Sequence, residues 1–203
     1  MSQTGRPDHA AAPLLLASTS PRRRAILEQL RVPFEAVAPT YVEGSLAGYA
    51  PRELIIAHAK GKAESVRPAH AGRLILGVDT GVVLDDELFG KPRDAADAAR
   101  ILGRLAARTH AVVSGICVID DSVSVTRLAE TAVTFRALTG GQIERYVDSG
   151  EWMGLAGGYA IQGAGALLVE RVEGDYLNVV GLPASLLVDV LHERRPELLA
   201  IGS

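Results

Sequence analysis

The run Leu74 to Leu84, "LILGVDTGVVL", limits the fold more than any other stretch of the chain. It is apolar and β-branched on both parities, which is the pattern of a strand covered on both faces, with Asp79-Thr80-Gly81 interrupting it. Around it the pattern alternates between strands and helices. Leu14 to Ser18 reads as a strand, Pro21 to Leu30 as a helix, and Phe34 to Val37 as a strand followed by a loop from Pro39 to Gly44. A helix is expected from about Arg52 to Val66, with Leu54, Ala57, His58 and Gly61 on one face. "RDAADAARILGRLA" gives another, with Asp94 as N-cap and Ala98, Ile101, Leu102 and Leu105 at helical spacing. "HAVVSGICVID" and "VTRLAETAVTFRAL" read as consecutive antiparallel strands, and "TGGQIERYVDSG" as a short helix. A glycine-rich segment from Gly150 to Gly165 precedes strands around "ALLVERV" and "NVVG" and a last helix from Pro183 to His192. The expected class is α/β, a mixed twisted sheet flanked by helices.

Composition narrows the partners. A net charge of −3 over 203 residues gives no basic face for a nucleic-acid polymer or an anionic membrane, so any bound anion must meet a local cluster. The single cysteine, Cys117, excludes an internal disulfide and a cysteine metal cage, and fits the cytoplasm. "AAAPLLLA" is broken by Pro13 and is too short for a membrane span. Residues 1–12 carry no periodic pattern and read as a disordered tail, with one domain over 13–203.

Three places carry chemistry. In "ASTSPRRR", Ser20 suits an N-cap and Pro21 the first helical position, yet Arg22, Arg23 and Arg24 fall where the helix end is already positive. Such a cluster becomes favourable around a phosphate, while the plainer reading lets the arginines splay into solvent. Asp79 is a carboxylate inside an apolar strand, costly to bury unless paired or bound; alternatively, Asp79-Thr80-Gly81 forms a turn at an exposed strand end. Asp-Thr-Gly with Asp148-Ser149-Gly150 also suggests a peptidase dyad, but the amphipathic helices and the helical setting of Asp148 oppose it. Lys91 precedes Pro92, which fixes its backbone as extended; of Lys60 and Lys62, one can point inward. Glu43 could join Asp79 around a divalent ion. His58 and His110 lack metal-ligand spacing and read as structural, and "GAGALL" is an incomplete dinucleotide fingerprint.

Taken in order, "LLLASTSPRRRAIL", "GVDTGVVLDDELFGKPRD", "RTHAVVSG", "VTFRAL", "YVDSGEW" and "AGGYAIQGAGALLVERVEGDYLNVVGLP" resemble the Maf family of nucleoside triphosphate pyrophosphatases. The resemblance runs from Leu14 to about Leu191. It implies a two-lobed Maf/ITPase-like fold with a central cleft, a homodimer, and hydrolysis of a nucleoside triphosphate to monophosphate and pyrophosphate with Mg²⁺ or Mn²⁺. By the same resemblance Asp79 is the proton acceptor and Glu43 a cleft residue to which any metal role falls, while Arg22, Thr80 and Gln162 match positions tied to substrate choice. Ser18, Arg23, Lys62 and Lys91 match further substrate-binding positions, and "YAIQG" resembles the branch acting on dTTP and UTP. Two departures stand out: Val42 replaces the first of an acidic pair, and Leu155 replaces a common lysine. A regulatory nucleotide-binding protein linked to cell division, with little turnover, is the alternative expectation.

Overall fold

The computed structural model describes residues 12–44 and 48–200, so the expected N-terminal tail, Ala12 apart, lies outside the described residues. Among them, β1 (Leu14–Ala17), β2 (Phe34–Val37), β3 (Ile75–Leu84), β4 (Glu87–Phe89), β5 (Thr109–Ile119), β6 (Ser124–Phe135) and β7 (Val169–Glu173) form one mixed sheet. Its order is β2-β1-β3-β5-β6-β7, with β1 parallel to both neighbours and the pairs from β3 to β7 antiparallel. The helices are α1 (Pro21–Gln29), α2 (Pro51–Val66), α3 (Ala95–Leu105), α4 (Gly140–Asp148), α5 (Tyr176–Val180) and α6 (Ala184–Arg194).

Strand β3 runs unbroken through Asp79-Thr80-Gly81, which corrects both the expected interruption and the reading of that triplet as a terminal turn. Side chains alternate along a strand, so its even and odd residues serve different layers. Leu76 and Val78 enter a core with Leu14, Leu16, Ile26 of α1 and Leu187 of α6. Val82 and Leu84 enter a second core with Ile101 and Leu105 of α3 and Tyr146 of α4. On the opposite face Ile75 and Val83 pack against Ala59 and Ile55 of α2. Asp79 is therefore delivered to the α2 face and Thr80 to the α1 face, between the two cores.

The edge of β3 facing β1 is only partly paired. β1 covers Ile75–Gly77 and β4 covers Val82–Leu84, leaving Val78–Gly81 open on that side. β4 is absent from the expectation. It forms because Asp85 and Asp86 both take positive φ, 51° and 59°, the pair of angles that closes a two-residue hairpin with the right twist.

Three expected elements change. "NVVG" is not a strand: the Asp175 carboxylate accepts the N–H groups of Leu177 and Asn178 and starts α5 instead. In "ALLVERV" residues 163–168 form a 3₁₀ helix and the strand begins at Val169. The buried stripe of α2 is Ile55, His58, Ala59, Lys62, Ala63 and Val66, one residue out of phase with the expected face.

Candidate active site

A cleft of about 740 Å³ opens at the unpaired stretch of β3. Ser18, Arg22, Arg23, Glu43, Lys62, Asp79, Thr80, Lys91 and Gln162 all line it. No more than two of them come from any one element, so the fold, not local sequence, assembles the group.

Its first wall is the turn from β1 into α1. Ser20 caps the helix, its Oγ accepting the Arg23 N–H at 3.5 Å. The buried Ser18 hydroxyl accepts from the Ser20 N–H and from Arg23 Nη1, both at 3.2 Å. Arg23 also donates through Nε to the Gly181 carbonyl at 2.9 Å and through Nη2 to Thr80 Oγ1 at 3.3 Å. Its three partners are neutral oxygens, which fix the guanidinium without cancelling its charge. Burial lowers its pKa to about 10, partly opposed by Asp79, so it stays cationic at neutral pH. Arg22 makes no ion pair or side-chain hydrogen bond among the described residues, and burial lowers its pKa too. Arg24 is exposed. The positive helix start thus carries two cations that no described carboxylate pairs.

The second wall is α2. Gly77 lets this helix approach β3: a Cβ there would lie 2.1 Å from the Ala59 carbonyl oxygen. At that separation the buried Lys62 reaches the sheet, and Lys60, two residues away, stays exposed beside Glu64. Lys62 Nζ donates to Asp79 Oδ1 at 2.5 Å and to the free-edge carbonyl of Val78 at 3.3 Å, and it pairs with Glu43 Oε1 at 2.6 Å. Burial raises the Glu43 pKa, but the hydrogen bond and charge of Lys62 outweigh it and the net shift is downward. Two carboxylates thus converge on one cation at the floor of the cleft.

The remaining wall comes from the glycine-rich segment and the loop after β4. Gln162 is exposed and precedes the 3₁₀ helix 163–168 without a side-chain cap bond, while Lys91 is exposed on the approach from β4. Leu155, where the resemblance expects a lysine, is buried and lines the cleft with its apolar side chain.

Sequence reasoning did not anticipate several participants. Ser114 of β5 shares a 2.9 Å hydrogen bond with Thr80, and the Gly181 carbonyl serves both Arg23 and Thr80. Tyr41 hydrogen-bonds His58 Nδ1 at 3.0 Å and lays its ring on Gly61; burial, Asp79 and Glu43 together raise its phenol pKa. His58, expected to be structural, therefore lines the cleft. His110 is structural as expected: it is 2 % exposed, bonded to Tyr159 at 2.8 Å and set edge-on against Phe135.

The profile described as Maf-like protein matches residues 13–194. The chain belongs to the Maf-like protein family. Proteins named "dTTP/UTP pyrophosphatase" are similar to this Maf-like chain over most of its length. One from Moorella thermoacetica is 47 % identical over 182 residues, 88 % of this chain and 93 % of its own. One from Gloeobacter violaceus is 45 % identical over 180 residues, 89 % and 95 % of the two chains. One from Nitratidesulfovibrio vulgaris is 44 % identical over 190 residues, 93 % and 90 %. Among the described residues of this Maf-like chain, no helix is long and apolar enough to cross a membrane.

Proposed function

We infer that this chain is a nucleoside triphosphate pyrophosphatase that hydrolyses dTTP and UTP to the monophosphate and pyrophosphate. The observation that carries the reading is a cleft with the Asp79 carboxylate and Lys62 on its floor and further cations around it, Arg22 and Arg23 at the start of α1 and Lys91 on the loop after β4. A triphosphate is the ligand whose charge such an arrangement complements.

The triphosphate lies along the α1 N-terminus, where Arg23 is already immobilised and Arg22 is available for bidentate contact. Asp79, held by Lys62, takes the proton of a water attacking the α-phosphorus. Pyrophosphate leaves, its charge met by the lysines and arginines. Gln162, whose amide has an NH2 that donates and an oxygen that accepts, reads the pyrimidine edge.

The donor set also fits a divalent ion. Glu43 Oε1 and Asp79 Oδ1 meet at Lys62 Nζ, and the second oxygen of each carboxylate has no hydrogen-bond partner among the described residues, which leaves hard oxygens side by side for a cation. Among the described residues no third acidic, histidine or cysteine ligand joins them. That suits Mg²⁺ or Mn²⁺, which accept one or two carboxylates and fill their other positions with phosphate and water. When bound, the ion supplies charge neutralisation to the phosphate oxygens. A homodimer and a cytoplasmic setting belong to the same reading, and sedimentation of the purified chain tests the first.

Incubation with UTP and Mg²⁺ in ¹⁸O-water tests the reaction. The expected products are UMP and pyrophosphate with the label in UMP; UDP with orthophosphate, or label in pyrophosphate, defeats the mechanism. Asp79→Asn is expected to keep nucleotide binding and lose at least about a hundredfold in turnover, the scale of a lost general base. Tight UTP binding without turnover in the unsubstituted protein would instead favour a regulatory role.

A further inference from the structure

The motif "YVDSGEW" is not used by the chemistry above, yet it lies beside the one side chain assigned to the base. Gln162 sits at the crown of a tight loop. The loop closes so sharply that a Cβ on Gly165 would lie 2.0 Å from the Ala160 carbonyl oxygen. Gln162 itself has no side-chain hydrogen bond among the described residues that would fix it. What fixes its backbone comes from α4 and the turn after it.

On one side, two residues before Gln162, the Ala160 N–H donates to the Tyr146 hydroxyl at 3.3 Å. On the other, the Glu151 carboxylate accepts the N–H groups of Ala164 at 3.0 Å and Gly165 at 2.8 Å, donors that the first turn of a helix leaves unpaired. The carboxylate occupies the space a side chain on residue 163 would need: a Cβ on Gly163 would lie 2.1 Å from Glu151 Oε1, and its φ is +80°. Glu151 is in turn set by its own turn. The Ser149 hydroxyl bonds back to the Tyr146 carbonyl at 2.6 Å and accepts the Glu151 N–H at 3.3 Å, and Trp152 Nε1 donates to the Val147 carbonyl at 2.9 Å. Tyr146 is buried in the second core. The two side chains thus brace both legs of the Gln162 loop from a single packed element.

We propose that Glu151 and Tyr146 are specificity-positioning residues: they hold the Gln162 loop so that its amide meets the edge of a uracil or thymine base. The proposal rests on Gln162 reading the base. Uracil offers a ring N–H beside a carbonyl where cytosine offers a ring nitrogen beside an amine, so the Gln162 amide meets the two edges in opposite orientations, and the position of its loop sets how well each is met. Neither residue lines the cleft, so their loss acts on base selection and not on the chemical step.

The test compares kcat/KM for UTP and CTP. Glu151→Gln is expected to shrink the UTP preference about tenfold, chiefly through KM, with kcat for UTP changed less than about twofold. Tyr146→Phe, which keeps the buried ring, is expected to shrink it about threefold, and it serves if Glu151→Gln fails to fold. In a Gln162→Ala background Glu151→Gln is expected to change the preference no further, because the residue it positions is gone. The proposal is overturned if the unsubstituted protein shows no UTP preference. It is also overturned if Glu151→Gln slows both nucleotides equally, or if its effect persists without Gln162. If neither nucleotide turns over, the functional reading fails instead. The same comparison of Kd values for α,β-methylene UTP and α,β-methylene CTP then decides the positioning role by the same criteria.

Discussion

Arg22 and Arg23 lie side by side and are held differently. Arg23 is tied to Ser18, Thr80 and Gly181, so its geometry is set before substrate arrives and little order remains to be imposed on binding. Arg22 has no such partner and stands at the positive end of α1, where a cation opposes the helix dipole. Its two contributions therefore have opposite signs. Arg22→Ala is expected to stabilise the ligand-free protein by up to about 0.5 kcal/mol in urea unfolding. It is also expected to weaken UTP binding by about tenfold or more, the scale of one lost charged contact. A variant that is less stable and binds normally would show that Arg22 serves the fold. Arg23→Lys retains charge but cannot reproduce three divergent donors from a planar group, and a fall of at least about tenfold in kcat/KM is expected. Lysine kinetics equal to the parent's would mean that charge alone matters at that position.

The element that sets the site is α2, and what sets the approach of α2 is the missing side chain at Gly77 beneath it. Gly77→Ala would drive a Cβ into the Ala59 carbonyl, a backbone atom that can move only with the helix. The expected cost is about 1–3 kcal/mol in urea unfolding, with a parallel loss of activity as Lys62 is lifted from Asp79. Gly103→Ala, in α3 with open space around it, is the control and should gain about 0.5–1 kcal/mol. Equal effects at the two glycines would show that close approach is not what position 77 requires. Much of this architecture could be read in the sequence: β3, the antiparallel β5 and β6, the cap of α1, and the acid and cations of the cleft all stood out. They did so because a charge in an apolar strand, or three cations at a helix start, conflicts with its local setting. Other parts had no such conflict to betray them. The Gly181 carbonyl is a backbone atom without a sequence signature, Ser114 is an ordinary strand residue, and the three residues of β4 are too few for a period. The face of α2 is out of phase with the expectation because its buried stripe takes in Lys62, which hydropathy places outside, while the apolar Leu54 is left only half-buried. The five residues of α5 looked like a strand because Val179-Val180 is β-branched; the Asp175 cap, a local hydrogen bond, decides otherwise.

At the scale of the molecule, one buried base couples the fold to pH. Burial lowers the His110 pKa to about 4, against an ordinary value near 6.5. Between those values the unfolded chain binds a proton that the folded one refuses, so stability rises with pH across this window and falls as pH drops through it. A shift of that size corresponds to a loss of roughly 3 kcal/mol by pH 4, and His110→Phe is expected to flatten the dependence of urea midpoints between pH 4 and 6.5. An unchanged slope would place the responsible proton elsewhere. The gap in the sheet has a different consequence for the whole molecule. An unpaired strand edge is where one chain recruits another into an extended aggregate. Here the open stretch is four residues, Val78–Gly81, stopped at both ends by β1 and β4 and occupied on one side by an ammonium group. An intruding strand would find too few partners and a charge in its path. The opening can thus stay accessible to solvent throughout the protein's life without seeding self-association.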